Sequence, residues 1–149
     1  MSHVAASDCE RIHDGLIAQP ANTVSSLAFI AAAVPIWRQG GAWRSVAAAL
    51  AFEGVGSVAY HGPGGRVSKV VHDIGLVFLT VAFLRVGPRR PRPSAVVLAA
   101  AAAVLHTLSR TGGPLCSCNS KLQGHAVFHV LAAAAISLQS GVLQRQPRS

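Results

Sequence analysis

Five side chains in the 149-residue sequence combine catalytic or metal-ligating chemistry with apolar surroundings: Ser57, His61, Asp73, His125 and His129. Ionisable groups inside apolar segments of bilayer length are costly, and they mark function by default. His125 and His129 stand four apart, so a helix presents both imidazoles to one ion. The intervening Ala126, Val127 and Phe128 lack the glutamate of helical zinc proteases, so that motif is absent. His61, from another segment, supplies a third imidazole. Three histidines with one open position describe a catalytic zinc site. Asp73 is the candidate general base. Ser57 precedes His61 by four residues, which puts it on the same helix face and ~6 Å deeper. It is the candidate donor to a developing oxyanion.

Each of these residues also has a plain structural role. A histidine pair at this spacing arises by chance, a buried serine bonds its own helix carbonyls, and Asp73 can pair with Arg66 or Lys69. Glu53 lies on the Ser57–His61 stripe, ~12 Å deeper than His61, and reads as a neutral acid bonded to a neighbouring helix. His72 and His106 read as structural, with His106 placed to support the metal ligands.

The elements that must position these residues follow from composition. Hydrophobic residues make up 51% of the chain and charged residues 12%, about half the ~25% of soluble domains. That excludes a disordered chain and a disulfide-dense mini-protein. Five apolar segments, at about 20–37, 43–61, 68–86, 94–109 and 124–142, approach the ~20 residues that span a bilayer. Glycine- and proline-rich breakers separate them, around Gly40, Pro63, Pro88 and Gly112. The segments are apolar all round, which argues against a soluble bundle with one buried stripe. The expectation is an all-α membrane bundle of about five transmembrane helices, one domain over 1–149. The N-terminal segment is polar and acidic and lacks the basic start and apolar core of a signal peptide.

Charge sets the orientation. With five spans, one face carries Arg38, Arg44, Arg85, Arg89, Arg90, Arg92, Arg145 and Arg148, with no acids. The other carries Arg11, Arg66, Lys69, Arg110 and Lys121, offset by Asp8, Glu10 and Asp14. The positive-inside rule makes the first face cytoplasmic, with the N-terminus outside and the C-terminus inside. The net charge of +8 is then topological and lipid-facing, and no basic face for nucleic acid is visible. The same topology brings Ser57, His61, Asp73, His125 and His129 to one depth near the outer interface. Cys9, Cys116 and Cys118 also fall outside, where disulfides persist. Cys9 is expected to pair with Cys118 or Cys116, leaving one odd thiol. Alternatively, Cys116-Ser117-Cys118 binds a metal or stays reduced.

Several ordered motifs resemble one family. Cys9-Glu10, then Ile17 to Thr23, then Ser25 to Phe29, look like the N-terminal signature of the alkaline ceramidases. Gly56 to His61 is similar to that family's Ser-x-x-x-His motif. His72-Asp73-Ile74-Gly75 falls where the family carries its third-helix aspartate, and Leu122 to His129 resembles its final His-x-x-x-His helix. The wider superfamily includes the adiponectin/progestin-type receptors. The resemblance implies a zinc-dependent integral-membrane amidohydrolase with His61, His125 and His129 on zinc and Ser57 and Asp73 catalytic. It also implies a ceramide or other N-acyl lipid as substrate. Members usually have seven spans; here one span replaces three between Asp73 and His125, and a second copy of the chain could complete the cavity. Members also bind calcium through N-terminal acids. Gln19 stands where the family has glutamate, and Asp8, Glu10 and Asp14 remain as candidate ligands. The rival readings are a non-enzymatic zinc-containing membrane sensor or receptor-like protein, an inactive family member, and a bis-histidine haem protein.

Overall fold

The computed structural model describes residues 3–86 and 91–142. Five α-helices occur among them, and no strand: α1 (Pro20–Gln39), α2 (Trp43–His61), α3 (Arg66–Val86), α4 (Pro93–Leu108) and α5 (Gly124–Ser140). They fall on the five apolar segments. A short 3-10 turn, Ala6–Asp8, precedes them. Two helices, α1 and α3, are long and apolar enough to cross a membrane, whereas α4 and α5 are shorter apolar helices of 16 and 17 residues. The 19-residue α2 reaches the length, but Arg44 and Glu53 lower its hydropathy. Arg89, Arg90, Arg145 and Arg148, on which the orientation partly rests, lie outside the described residues.

α1 is the centre of the fold. It packs against α2 on one side and α5 on the other; α3 packs outside α2 and α4 outside α5. No comparably packed pair joins α3 to α4, or α2 to α5, among the described residues. The core is the seam of α1, α2 and α5, where Phe29, Ala33, Ile36, Ala47, Leu50 and Ala133 meet. Small side chains let the axes approach. Gly75 is the one buried residue of α3 and faces Glu53, whose carboxylate a Cβ at Gly75 would strike. The rest of α3 turns Val67, Val70, Val77, Phe78 and Leu84 outward. An apolar helix buried only at a glycine leaves most of its apolar surface uncovered by the rest of the described chain.

The N-terminus of α1 is capped from a distance. The Glu10 carboxylate accepts the Ala21 and Asn22 amides at 2.7 and 2.8 Å. These amides lack helical acceptors, and a negative charge is favoured there. Residues 3–11 lie across this end of the bundle and are fastened to the α4–α5 loop. Thr111 Oγ1 accepts the Cys9 amide at 3.0 Å and donates to Ala6 O at 2.6 Å. A Cys9–Cys116 disulfide joins the same two segments, resolving the pairing in favour of Cys116 and leaving Cys118 free.

Candidate metal centre

The last residue of α2 and the first two turns of α5 meet over the start of α1. His61, His125 and His129 are 0, 5 and 1% exposed. One ring nitrogen from each lies within 4.8 Å of the other two. The ring centroids are 5.0 Å apart for His61–His125, 5.2 Å for His61–His129 and 4.6 Å for His125–His129. Rings this close leave no slot for a porphyrin between any pair, which removes the geometric basis of the haem reading.

α1 fixes how these rings are protonated. Gln19 spends its amide hydrogens on Ala5 O and Glu10 O, both at 3.0 Å. Its Oε1 can therefore only accept, and His61 Nδ1 lies 2.7 Å from it. His61 must carry its proton on Nδ1, so Nε2 presents a bare lone pair; that nitrogen is buried and has no hydrogen-bond partner. Ser25 works the same way. Its hydroxyl donates to Asn22 O at 3.0 Å, so at 2.8 Å from His129 Nδ1 it receives the ring's N–H. His129 Nε2 is thereby left as a lone-pair donor. Two imidazoles held in one tautomer by groups behind them are what metal-binding histidines need. An orphaned ring nitrogen without an ion would otherwise cost about 1–3 kcal/mol. The donor set fits a divalent transition metal.

The remaining residues divide. Ser57 is fully buried, and its Oγ lies 2.8 Å from Ser26 Oγ, which sits 3.5 Å from His129 Nδ1. Ser57 therefore belongs to the surroundings of the histidines and is already engaged. Asp73 does not join them. Its side chain is 52% exposed and pairs with Lys69 at 2.5 Å and His72 at 3.3 Å. The reason is register: His72 and Gly75 are the α3 residues turned to α2, and Asp73 falls on the exposed side of that contact. The carboxylate beside the cluster is Asp8, with Oδ1 3.9 Å from His125 Nδ1, a nitrogen that also lacks a hydrogen-bond partner. Burial pushes the Asp8 carboxyl above its usual range; Arg110 and the Ser7 hydroxyl pull the other way.

The three acids named as candidate calcium ligands are not grouped among the described residues. Glu10 caps α1, Asp8 faces His125 and Asp14 is exposed. Gln19 holds the Ala5 and Glu10 carbonyls with an uncharged amide. Glu53 is buried and bonded to a neighbouring helix, with Oε1 3.3 Å from His72 Nε2. His72 also stacks on Tyr60 at 4.6 Å, and His106 stands 5.3 Å from His125.

Gln19, Ser25 and Ser26 are site residues that the reading of the sequence did not assign, and it placed Asp8 among candidate calcium ligands and not beside the histidines. A signal for two of them was present. Gln19 and Ser26, with Asn22 between them, recur at three and four residues along an apolar helix, which makes a polar stripe that needs a polar neighbour. No protein-family model, no curated protein and no solved structure matches the chain.

Proposed function

We propose that the chain is a five-span membrane protein whose three-histidine centre holds zinc and hydrolyses the amide bond of an N-acyl lipid, ceramide among them. The observation that carries this reading is the pair of imidazoles, His61 and His129, held by Gln19 and Ser25 with bare nitrogens toward a third. A zinc ion bound there would act as a Lewis acid and lower the pKa of its water toward ~7.

The chain's own groups supply the rest. Asp8 is the carboxylate placed to accept a proton at the site and return it to the leaving amine. Ser26 donates to Asn22 O at 2.7 Å and accepts from Ser57 at 2.8 Å, so the pair holds His129's side of the cluster, and Ser57 would have to turn its O–H away from Ser26 to meet a developing oxyanion. An apolar cavity of about 480 Å³ lies between α3, α4 and α5, lined by Leu79, Phe83, Ala99, Phe128 and Ile136 among others. It opens where α3 and α4 are not packed together, and it suits an acyl chain. Phe128 stands between this cavity and the histidines, 5.4 Å from His125 and 5.5 Å from His129. It is the side chain that must swing aside for a substrate carbonyl to reach the centre.

The deciding assay uses zinc-loaded protein in liposomes carrying a panel of N-acyl lipids. Release of free fatty acid that a chelator stops and added zinc restores is the expected outcome. A fully zinc-loaded protein that releases none across the panel would favour the sensor reading. For the topology, a reporter fused to the C-terminus should be active in the cytoplasm. Activity only on the outer side would reverse the orientation and place the histidines inside.

A further inference from the structure

Three sulfur atoms meet at the outer mouth, and the hydrolysis proposal uses none of them. Cys9 and Cys116 are bonded. Cys118 is a free, exposed thiol whose Sγ lies 3.8 Å from Cys9 Sγ and 3.7 Å from Cys116 Sγ. It is thus equally near both halves of the disulfide. The backbone around it is already joined to the Cys9 strand, since the Arg11 amide donates to Cys118 O at 3.0 Å. Cys9 has φ of 64°, the left-handed region. A non-glycine residue is strained there, so the strain sits on the half of the disulfide that Cys118 would attack.

We propose that Cys9, Cys116 and Cys118 form a thiol–disulfide exchange site in which Cys9 alternates between two partners. Cys118 gives its proton to water and attacks Cys9 Sγ as the thiolate. The Cys9–Cys116 bond breaks as the Cys9–Cys118 bond forms, and Cys116 leaves with the electron pair and takes up a proton. One disulfide and one thiol are present before and after, so no oxidant or reductant is consumed. Cys118 borders a cavity of about 510 Å³ that also admits water to the attacking sulfur. Both linkages keep residues 3–11 tied to the α4–α5 loop, but the tether moves by two residues. Because Asp8 precedes Cys9 and faces His125, the exchange shifts that carboxylate against the histidines. This last consequence rests on the proposed function; the exchange does not.

The test maps the free thiol. Full-length protein is prepared in detergent without reductant, held at pH 8, quenched in acid, alkylated and digested with trypsin. Cys9 then lies in a peptide ending at Arg11, and Cys116 and Cys118 in one ending at Lys121. Fragmentation of the linked pair shows which of those two carries the alkyl group. The expected result is both isomers in the wild type. Cys116→Ser should fall from one alkylatable thiol per chain to none, joined as Cys9–Cys118, and Cys118→Ser should show Cys9–Cys116 alone. An alkyl group found only on Cys118 in the wild type at every time sampled would overturn the proposal. So would three free thiols, which would make the cluster a thiolate metal site instead. Because the wild-type map is decisive, a Cys116→Ser chain that fails to fold leaves the question answerable.

Discussion

Replacing His61 with alanine should empty the protein of zinc. Wild-type protein purified from metal-replete cells is expected to carry about one ion per chain, and His61→Ala near none. The argument is local. His61 is the single ligand that α2 contributes, it is fully buried, and its Nε2 has no other partner. His125→Ala should behave alike. Gln19→Leu separates metal binding from mere folding. It removes the acceptor that fixes the His61 tautomer and leaves every ligand in place, so affinity should fall by ~10–100-fold without reaching zero. Metal content by mass spectrometry and a competitive chelator titration read both effects with no need of a substrate. Undiminished zinc in His61→Ala would refute the three-histidine centre outright.

Of the two aspartates near this mouth, Asp8 is the one whose loss should stop turnover. Asp8→Asn is expected to retain zinc and lose ~10²–10⁴-fold in lipid-amide hydrolysis, the usual scale for a missing proton-transfer group. Asp73→Asn should stay within about threefold of wild type, since Asp73 is half exposed and its ion pair with Lys69 is of the kind that contributes ~0–1 kcal/mol. The pair of variants is informative because the motif and the geometry disagree. His72-Asp73 resembles the third-helix aspartate motif of the alkaline ceramidases, whereas the packed face of α3 is at His72 and Gly75. If Asp73→Asn is the inactive variant, α3 must rotate toward α2 when the centre is loaded, and Asp8 loses its role. Fatty-acid release measured at matched zinc content decides between them.

The helices were legible because long apolar runs between glycine and proline breakers admit few other solutions. The three histidines were legible because two share a helical spacing and the third ends a neighbouring segment at the same depth. That Glu53 bonds a neighbouring helix was read from a buried acid needing a partner, but His72 was not named as that partner. What the sequence did not disclose were rotations about helix axes and long-range backbone contacts. Asp73 and Gly75 are two residues apart, and only packing decides which of them faces α2. Asp8 reaches His125 because residues 3–11 fold back over the bundle, through Thr111 and a disulfide spanning 107 residues. No local pattern reports that return. Gln19 was read as a departure from a calcium-binding motif, when its fixed amide makes it the group that orients His61.

The central position of α1 has a consequence for biosynthesis. The helices bearing the ligands, α2 and α5, are both packed on α1 and far less on each other. The histidine from α2 leaves the ribosome early and waits through two more helices for the pair on α5. A chain that has made only its first four helices would display one imidazole, already oriented by Gln19, and would hold an ion only weakly. On the proposed zinc reading, tight binding would arrive with α5, and the ion would become the last fastener of the fold.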